Sequence, residues 1–231
     1  MSPVGTPSPV QPTRHTPSWL LRGAAAGATA LALALLLIIG LLVDRWPFAA
    51  DRAILLWLRA HAQSPGVMRV AVDITALGSV PVLILMVAGA AILLAARGLW
   101  LTAVATAAAG ISGGAVVTVM KTGIARARPD LVPHWVAVSN ASFPSGHAAG
   151  SAMVYLTLAA LATQVTRHRR MRSAIMALAI GLVVAIGVSR VYLGVHWPSD
   201  VAAGWCFGTF WALGWWWATT RLRASWGDAR Q

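Results

Sequence analysis

Ionisable side chains gather in three short blocks of a chain that is otherwise strongly apolar. Charged residues make up only 10% of the sequence, and Lys121 is the single lysine among 18 lysines and arginines. The blocks are Lys121–Pro129 (KTGIARARP), Pro144–His147 (PSGH) and Ser189–Asp200 (SRVYLGVHWPSD). Together they supply three fixed cations, two imidazoles and one carboxylate. This combination favours an anionic substrate, most naturally a phosphate.

The first block predicts a helix end that presents two cations together. Lys121 and Arg128 are separated by about two helical turns, so a helix that continued through both would place them on one face. Pro129 disfavours helical geometry at Arg128 and is expected to end the helix there. Two cations that snorkel to the membrane surface are the alternative interpretation of this block.

Pro144–His147 has the features of a helix start that can hold an anion. Backbone N–H groups at a helix N-terminus have no partner within the helix, and Gly146 allows an anion to approach them closely. Ser145 is expected either to cap the helix or to donate its hydroxyl to a phosphate oxygen. His147 follows directly, in a position to donate a proton.

The third block pairs a histidine with a carboxylate. Arg190 ends an apolar run, and His196 and Asp200 follow it in the same block. Pro198 suits the first turn of a helix, which would bring Asp200 back toward His196. The carboxylate can then hold one ring nitrogen and direct the other at the substrate, as in an oriented nucleophile. A surface salt bridge beside a bystander histidine is the alternative.

In this order, Lys-x6-Arg-Pro, Pro-Ser-Gly-His and Ser-Arg-x5-His-x3-Asp resemble the three signatures of the type 2 phosphatidic acid phosphatase family, which shares its site with vanadium-dependent haloperoxidases. The resemblance implies that His196 is a nucleophile that forms a phosphohistidine and that Asp200 orients it. It implies that His147 protonates the leaving oxygen and then activates water. The groups implied to bind the phosphoryl oxygens are Lys121, Arg128, Ser145, the N–H of Gly146, and Arg190. No metal or other cofactor is implied, because three fixed cations can stabilise the equatorial oxygens.

Composition and run length predict that an all-α, polytopic membrane bundle positions these blocks. Hydrophobic residues reach 58% and the mean hydropathy is +0.71, which is too apolar for a soluble domain. Six apolar runs have roughly the 17 to 22 residues that a bilayer requires, and each must be a helix to satisfy its backbone hydrogen bonds. The runs lie near Gly23–Val43, Val80–Ala96, Leu99–Met120, Ala148–Val165, Ser173–Val188 and Val201–Thr220.

The remaining segments complete the expected organisation. Residues 1–18 are rich in proline and are expected to form a disordered tail, followed by a six-span domain over 19–222 and a short cytoplasmic tail over 223–231. Asp51–Gln63 is interpreted as a short interfacial helix on the membrane, with a helix packed on top of the bundle as the alternative. Small residues within the spans indicate close helix packing, namely Gly110, Gly113, Gly114, Gly204 and Gly208.

Positive charge predicts the orientation of the bundle. The net charge is +12, but the arginines lie at the ends of apolar runs rather than along one stripe, which argues against a nucleic-acid partner. Ten arginines fall in the N-terminal tail, the second and fourth loops and the C-terminus, against five cations outside the signatures on the other side. The positive-inside rule therefore predicts a plasma-membrane protein with both termini in the cytoplasm and the three blocks facing outward.

These features together predict an integral-membrane phosphatase that acts on a lipid phosphate or diphosphate. Candidate substrates are phosphatidic acid, phosphatidylglycerol phosphate and polyprenyl diphosphates such as undecaprenyl diphosphate. A phosphotransferase that uses an alcohol other than water, and a lipid transporter or scaffold with an inactive site, are the alternatives. The complete set of signature residues disfavours an inactive site, and the single cysteine, Cys206, excludes an internal disulfide.

Overall fold

The computed structural model describes residues 40, 42, 49–61 and 64–228, with side chains as far as Arg223. Over these ranges the chain forms helices and no strand, so the predicted all-α class is confirmed. The helices are α1 (Ala49–His61), α2 (Pro65–Ala76), α3 (Val80–Ala96), α4 (Trp100–Ile124), α5 (Gly146–Val165), α6 (Arg169–Tyr192) and α7 (Pro198–Asp228). The expected tail and nearly all of the first expected span, Gly23–Val43, lie outside the described residues.

Among the residues that the structure describes, three or four membrane spans can be counted, against the six expected for the whole chain. Helices α4, α5 and α6 are long and apolar enough to cross a bilayer, and α2 with α3 makes a fourth span if this pair, bent by 44°, is counted as one. Helix α3 alone has only 17 residues. Helix α7 has 31 residues but is rich in tryptophan, glycine and polar residues, which lower its hydropathy. For the part of the chain described, the count of six is therefore confirmed only in part.

The outer faces of these helices are strongly apolar. Leu85 is 70% exposed, Ile111 is 76% exposed and Leu178 is 75% exposed, and each is on a different helix. Such a large exposed aliphatic surface is unfavourable in water and is matched by lipid chains. The chain is an integral membrane protein.

The backbones of α5 and α7 approach each other closely, which fixes the position of one helix along the axis of the other. A Cβ at Gly204 would lie 2.8 Å from the carbonyl oxygen of Ser145, and one at Gly208 would lie 2.3 Å from that of Ala149. Close packing is also confirmed at Gly113, where a Cβ would meet a methionine side chain. Gly110 has ordinary contacts, whereas Gly114 faces open space, so the prediction of close packing is wrong at Gly114.

Helix α1 combines the two interpretations that the sequence left open for it. Asp51 and Leu55 are 2% and 1% exposed, so one face of the helix packs on the bundle. Trp57 is 60% exposed and Ile54 is 45% exposed, so another face is apolar and uncovered. Helix α2 follows it after a short break, and the sequence did not predict this helix because its apolar residues form no run long enough to span.

Candidate active site

The first signature block leaves its helix earlier than the sequence predicts. Helix α4 ends at Ile124, and Ala125 adopts the left-handed conformation with φ 52°. The N–H of Ala125 donates to the carbonyl oxygen of Lys121 at 2.9 Å and closes the last turn. Lys121 is therefore on the helix, whereas Arg128 reaches the site from the loop beyond it. The expectation that the helix continues to Arg128 is wrong, because a left-handed residue stops it before Pro129 has any influence.

The loop between α4 and α5 holds both cations in place. Nζ of Lys121 donates to the carbonyl oxygen of Ala141 at 2.5 Å. Nε of Arg128 donates to the carbonyl oxygen of Asn140 at 2.8 Å, and Nη2 donates to the side-chain oxygen of the same residue at 2.7 Å. These bonds use part of each cation's donor capacity and restrict its position, so the charges are held in place rather than mobile.

Helix α5 begins at Gly146 with a free N-terminus and an unused hydroxyl. Ser145 occupies the cap position, but its side chain makes no capping hydrogen bond. Its Oγ is buried and has no hydrogen-bond partner among the described residues. A Cβ at Gly146 would lie 3.7 Å from Cε of Lys121, so the lysine stem passes directly beside this helix start. Of the two expectations for Ser145, the geometry favours a hydroxyl directed at a ligand over an ordinary cap.

Arg190 and His147 approach the same point from α6 and α5. Arg190 is 4% exposed, and its Nη1 donates to Oγ1 of Thr75 at 3.1 Å, while its Nε is buried without a partner among the described residues. The imidazole of His147 lies within electrostatic reach of Arg190 and His196. It packs against the turn between α2 and α3, since a Cβ at Gly78 would lie 3.3 Å from its Cδ2.

His196 lies in the turn before α7 with its two ring nitrogens in different surroundings. Nδ1 is 3.4 Å from Oδ2 of Asp200 and 3.4 Å from Oγ of Ser142. Nε2 is 3.2 Å from Nη1 of Arg128, on the side where the cations converge. The pair is fully enclosed, with side-chain exposures of 2% and 0%. One nitrogen is thus held by the carboxylate and the other faces the guanidinium of Arg128.

Burial sets the protonation state of this pair. Desolvation lowers the pKa of His196 to about 3, despite its hydrogen bond to Asp200, and keeps the imidazole in its neutral, nucleophilic form. Burial alone would raise the pKa of Asp200, but hydrogen bonds from His196 and Ser142 and the charge of Arg126 hold it below the ordinary value. The carboxylate therefore stays ionised beside a neutral ring.

Three buried residues of the site were missed by the sequence reasoning. Ser142 donates to Oδ2 of Asp200 at 2.5 Å, and Arg126 donates to Oδ1 of the same carboxylate at 2.5 Å. Asp51 pairs with the other end of Arg126 at 3.0 Å. The only available signals were that Arg126 lies within the first signature block and that Asp51 is one of just six acidic residues.

The eight residues expected at the site converge at one end of the bundle. The ends of four helices, the loop after α4 and the turn before α7 bring them together, although the residues lie far apart in sequence. The cluster contains three cations, two buried polar atoms without a partner among the described residues, a helix N-terminus and a paired histidine. Such an arrangement defines a membrane protein with a buried cluster of cations and histidines at the ends of its helices.

Residues 98–224 match the family model of the PAP2 superfamily, and the chain belongs to that superfamily. It is 39% identical to phosphatidylglycerophosphatase B of Bacillus subtilis over 94 residues, which cover 39% of this chain and 44% of that protein. It is 38% identical to lipid A 1-phosphatase of Rhizobium johnstonii over 112 residues, which cover 45% of this chain and 42% of that protein. The chain thus spans less than half the length of these curated relatives.

The fold matches a solved relative over nearly all of its length. The crystal structure of a transmembrane PAP2-type phosphatidylglycerolphosphate phosphatase from Bacillus subtilis superposes with a TM-score of 0.70 at 26% identity. The match covers 85% of this chain and 96% of that one. The helical architecture that carries the site is therefore the one found in a transmembrane PAP2-type protein.

Proposed function

We propose that this protein is an integral-membrane phosphatase that hydrolyses a lipid phosphate or diphosphate through a phosphohistidine on His196, without a metal ion. The observation that carries the proposal is the buried His196–Asp200 pair, whose second ring nitrogen, Nε2, lies 3.2 Å from Nη1 of Arg128. Phosphoryl transfer depends on positioning and on stabilising the charge of the equatorial oxygens, and fixed cations can supply both.

In the first step Nε2 of His196 attacks phosphorus, and the bond from phosphorus to the lipid oxygen breaks. His147 donates a proton to that oxygen, which leaves as an alcohol or a lipid monophosphate. The electron pair of Nε2 forms the P–N bond, and the charge that develops on the ring is balanced by Asp200. Lys121, Arg128 and Arg190 hold the three equatorial oxygens.

In the second step a water molecule replaces the lipid. Neutral His147 takes a proton from this water, the oxygen attacks phosphorus and the P–N bond breaks. Inorganic phosphate leaves, and both histidines return to their starting forms. One residue thus acts first as acid and then as base.

The substrate class follows from the setting of the site. Lys121 and Arg190 are on membrane helices and Arg128 is in the loop after α4, so all three cations lie at one end of the bundle. There a lipid headgroup can reach them while its chains stay among the apolar outer faces. The relatives reported above are named phosphatidylglycerophosphatase B and lipid A 1-phosphatase, which supports a lipid phosphate as substrate. Phosphatidic acid, phosphatidylglycerol phosphate and polyprenyl diphosphates are the candidates, presented from the outer leaflet.

The test is phosphate release by the purified full chain in lipid nanodiscs, over a panel of lipid monophosphates and diphosphates. We expect turnover of at least one of them, undiminished by a chelator and inhibited by vanadate, which mimics the five-coordinate transition state. A strict requirement for added magnesium would contradict the metal-free mechanism. Inactivity across the whole panel would contradict the proposed substrate class.

A further inference from the structure

A buried chain of charges extends from the nucleophile pair away from the phosphate side. Arg126 lies between two carboxylates: Nη1 donates to Oδ1 of Asp200 at 2.5 Å, and Nη2 donates to Oδ2 of Asp51 at 3.0 Å. The side chains of Arg126, Asp51 and Asp200 are 4%, 3% and 0% exposed. Breaking such a buried pair leaves an uncompensated charge, so each member depends on the others.

The turn after α4 directs two arginines to opposite ends of the same pair. Ala125 in the left-handed region redirects the chain, after which Arg128 reaches Nε2 of His196 while Arg126 reaches Asp200. The backbone oxygen of Arg126 also accepts the N–H of Ser142 at 2.8 Å, and the hydroxyl of Ser142 donates to Asp200. Arg126 therefore supports the carboxylate both directly and through a neighbour.

Helix α1 supplies the outer end of this chain. Oδ1 of Asp51 accepts the backbone N–H of Ser199 at 2.8 Å, and Oδ2 accepts its hydroxyl at 2.5 Å. Ser199 lies in the first turn of α7, so Asp51 occupies the place of a capping carboxylate from another helix. At the other end of α1, Arg59 donates to the carbonyl oxygen of Pro133 and lies 3.6 Å from the ring centre of Trp135.

We propose that Arg126 is a positioning residue for phosphoryl transfer, with Asp51 of α1 as its counter-ion. This inference rests on the proposed function for the identity of the nucleophile. Arg126 occupies one oxygen of Asp200, which leaves the other for His196, Ser142 and the N–H of Trp197, 2.9 Å away. A carboxylate held at both oxygens has one orientation, and the ring it holds then has one orientation as well.

The charges balance in a way that suits the reaction. With His196 neutral, Asp51, Arg126 and Asp200 carry one net negative charge among them, which offsets the positive charge the ring acquires on phosphorylation. Without Arg126 two buried carboxylates remain unpaired, and a proton is drawn onto the His196–Asp200 pair. A protonated ring has no free electron pair on Nε2, so the loss of Arg126 acts on the chemical step.

The test compares Arg126→Gln, Arg126→Lys and Asp51→Asn with Arg52→Gln, a control at an exposed arginine on α1. An activated aryl phosphate serves as substrate, and inorganic phosphate as competitive inhibitor. For Arg126→Gln we expect kcat to fall about 10²-fold, the typical cost of a misplaced reacting group. The inhibition constant of phosphate should change less than about twofold, because Lys121, Arg128 and Arg190 are untouched.

Two further readouts separate positioning from plain destabilisation. The acid limb of kcat/KM should move to higher pH in Arg126→Gln, and Arg126→Lys should recover about tenfold of the lost kcat by restoring the charge. The kcat of Asp51→Asn should lie between that of the Arg52→Gln control and that of Arg126→Gln. If Arg126→Gln does not fold, Arg126→Lys and Asp51→Asn give the same comparison.

A wild-type kcat in Arg126→Gln, or a loss that raises the phosphate inhibition constant and leaves the acid limb in place, would overturn the inference. The test of Arg126 can fail independently of the proposed lipid phosphatase function, because the aryl phosphate substrate contains no lipid. A wild-type protein that hydrolyses the aryl phosphate but none of the lipids would contradict the lipid substrate and leave the positioning comparison intact.

Discussion

The two histidines enter the site from different settings, and this difference separates the expected effects of losing them. His196 lies in a turn with Nδ1 near Asp200, whereas His147 lies in the first turn of α5 beside a free helix N-terminus. His196→Ala should abolish phosphoenzyme and turnover together, a loss of roughly 10³-fold or more. The amount of phosphoenzyme is measured by quench-flow detection of acid-labile, protein-bound phosphate.

His147→Ala should depend on the leaving group instead. A good leaving group needs little protonation, so this variant should keep a larger share of its activity with an activated aryl phosphate than with a lipid phosphate. It should still form the phosphohistidine. If phosphoenzyme survives in His196→Ala and disappears only in His147→Ala, the roles of nucleophile and acid are reversed.

Residue types within a motif could be predicted, but their partners could not. Each signature is local in sequence, and the structure brings the eight residues expected from the signatures together at one end of the bundle. The sequence assigned no partner to Arg126, since Asp51 and Asp200 are 75 and 74 residues away. A buried ion pair over such a distance leaves no periodic trace in the sequence.

At the scale of secondary-structure elements, hydropathy predicted the long helices but not the residues at which α4 and α6 end. The expected run Val80–Ala96 is α3 as observed, whereas α4 and α6 extend a turn further toward the site, to Ile124 and Tyr192. These extensions carry Lys121 and Arg190, so polarity hid them from a search for apolar runs. Helix α2 was not predicted because its 12 residues contain no apolar run long enough to span.

The close packing of α5 and α7 gives a prediction at this scale. In Gly208→Ala the new methyl group would meet the carbonyl oxygen of Ala149 at 2.3 Å, and neither backbone can yield without moving a helix. We expect a loss of about 1 to 3 kcal/mol, the usual cost of overpacking. Thermal unfolding in nanodiscs, followed by circular dichroism, measures it.

Gly214→Ala is the matched control, because it is on the same helix and its Cβ would have nothing within 4 Å. There the higher helix propensity of alanine should add roughly 0.5 to 1 kcal/mol of stability. Equal effects of the two substitutions would mean that α5 and α7 do not pack as closely as described.

For the whole molecule, the charge distribution predicts which side of the membrane the site faces. The five cations counted on the side opposite the cytoplasm include Arg126. Arg126 is paired with two buried carboxylates, so its charge no longer counts against the excess of arginines on the cytoplasmic side. The bias toward cytoplasmic termini becomes stronger. A reporter fused after Gln231 should be cytoplasmic and one inserted near Val138 should be external. The reverse pattern would mean that the site draws on the inner leaflet.

The uninterrupted length of α6 restricts where this chain can gain or lose residues. Arg190 follows Arg169 along one continuous helix, a rise of about 32 Å. One alanine inserted after Gly187, where the helix is packed against Trp205, would turn Arg190 by about 100° and carry its guanidinium away from the phosphate. The same insertion after Arg167, in the turn between α5 and α6, leaves that angle unchanged. Phosphate affinity should fall in the first variant and persist in the second, so length variation in such a protein is confined to the turns opposite the site.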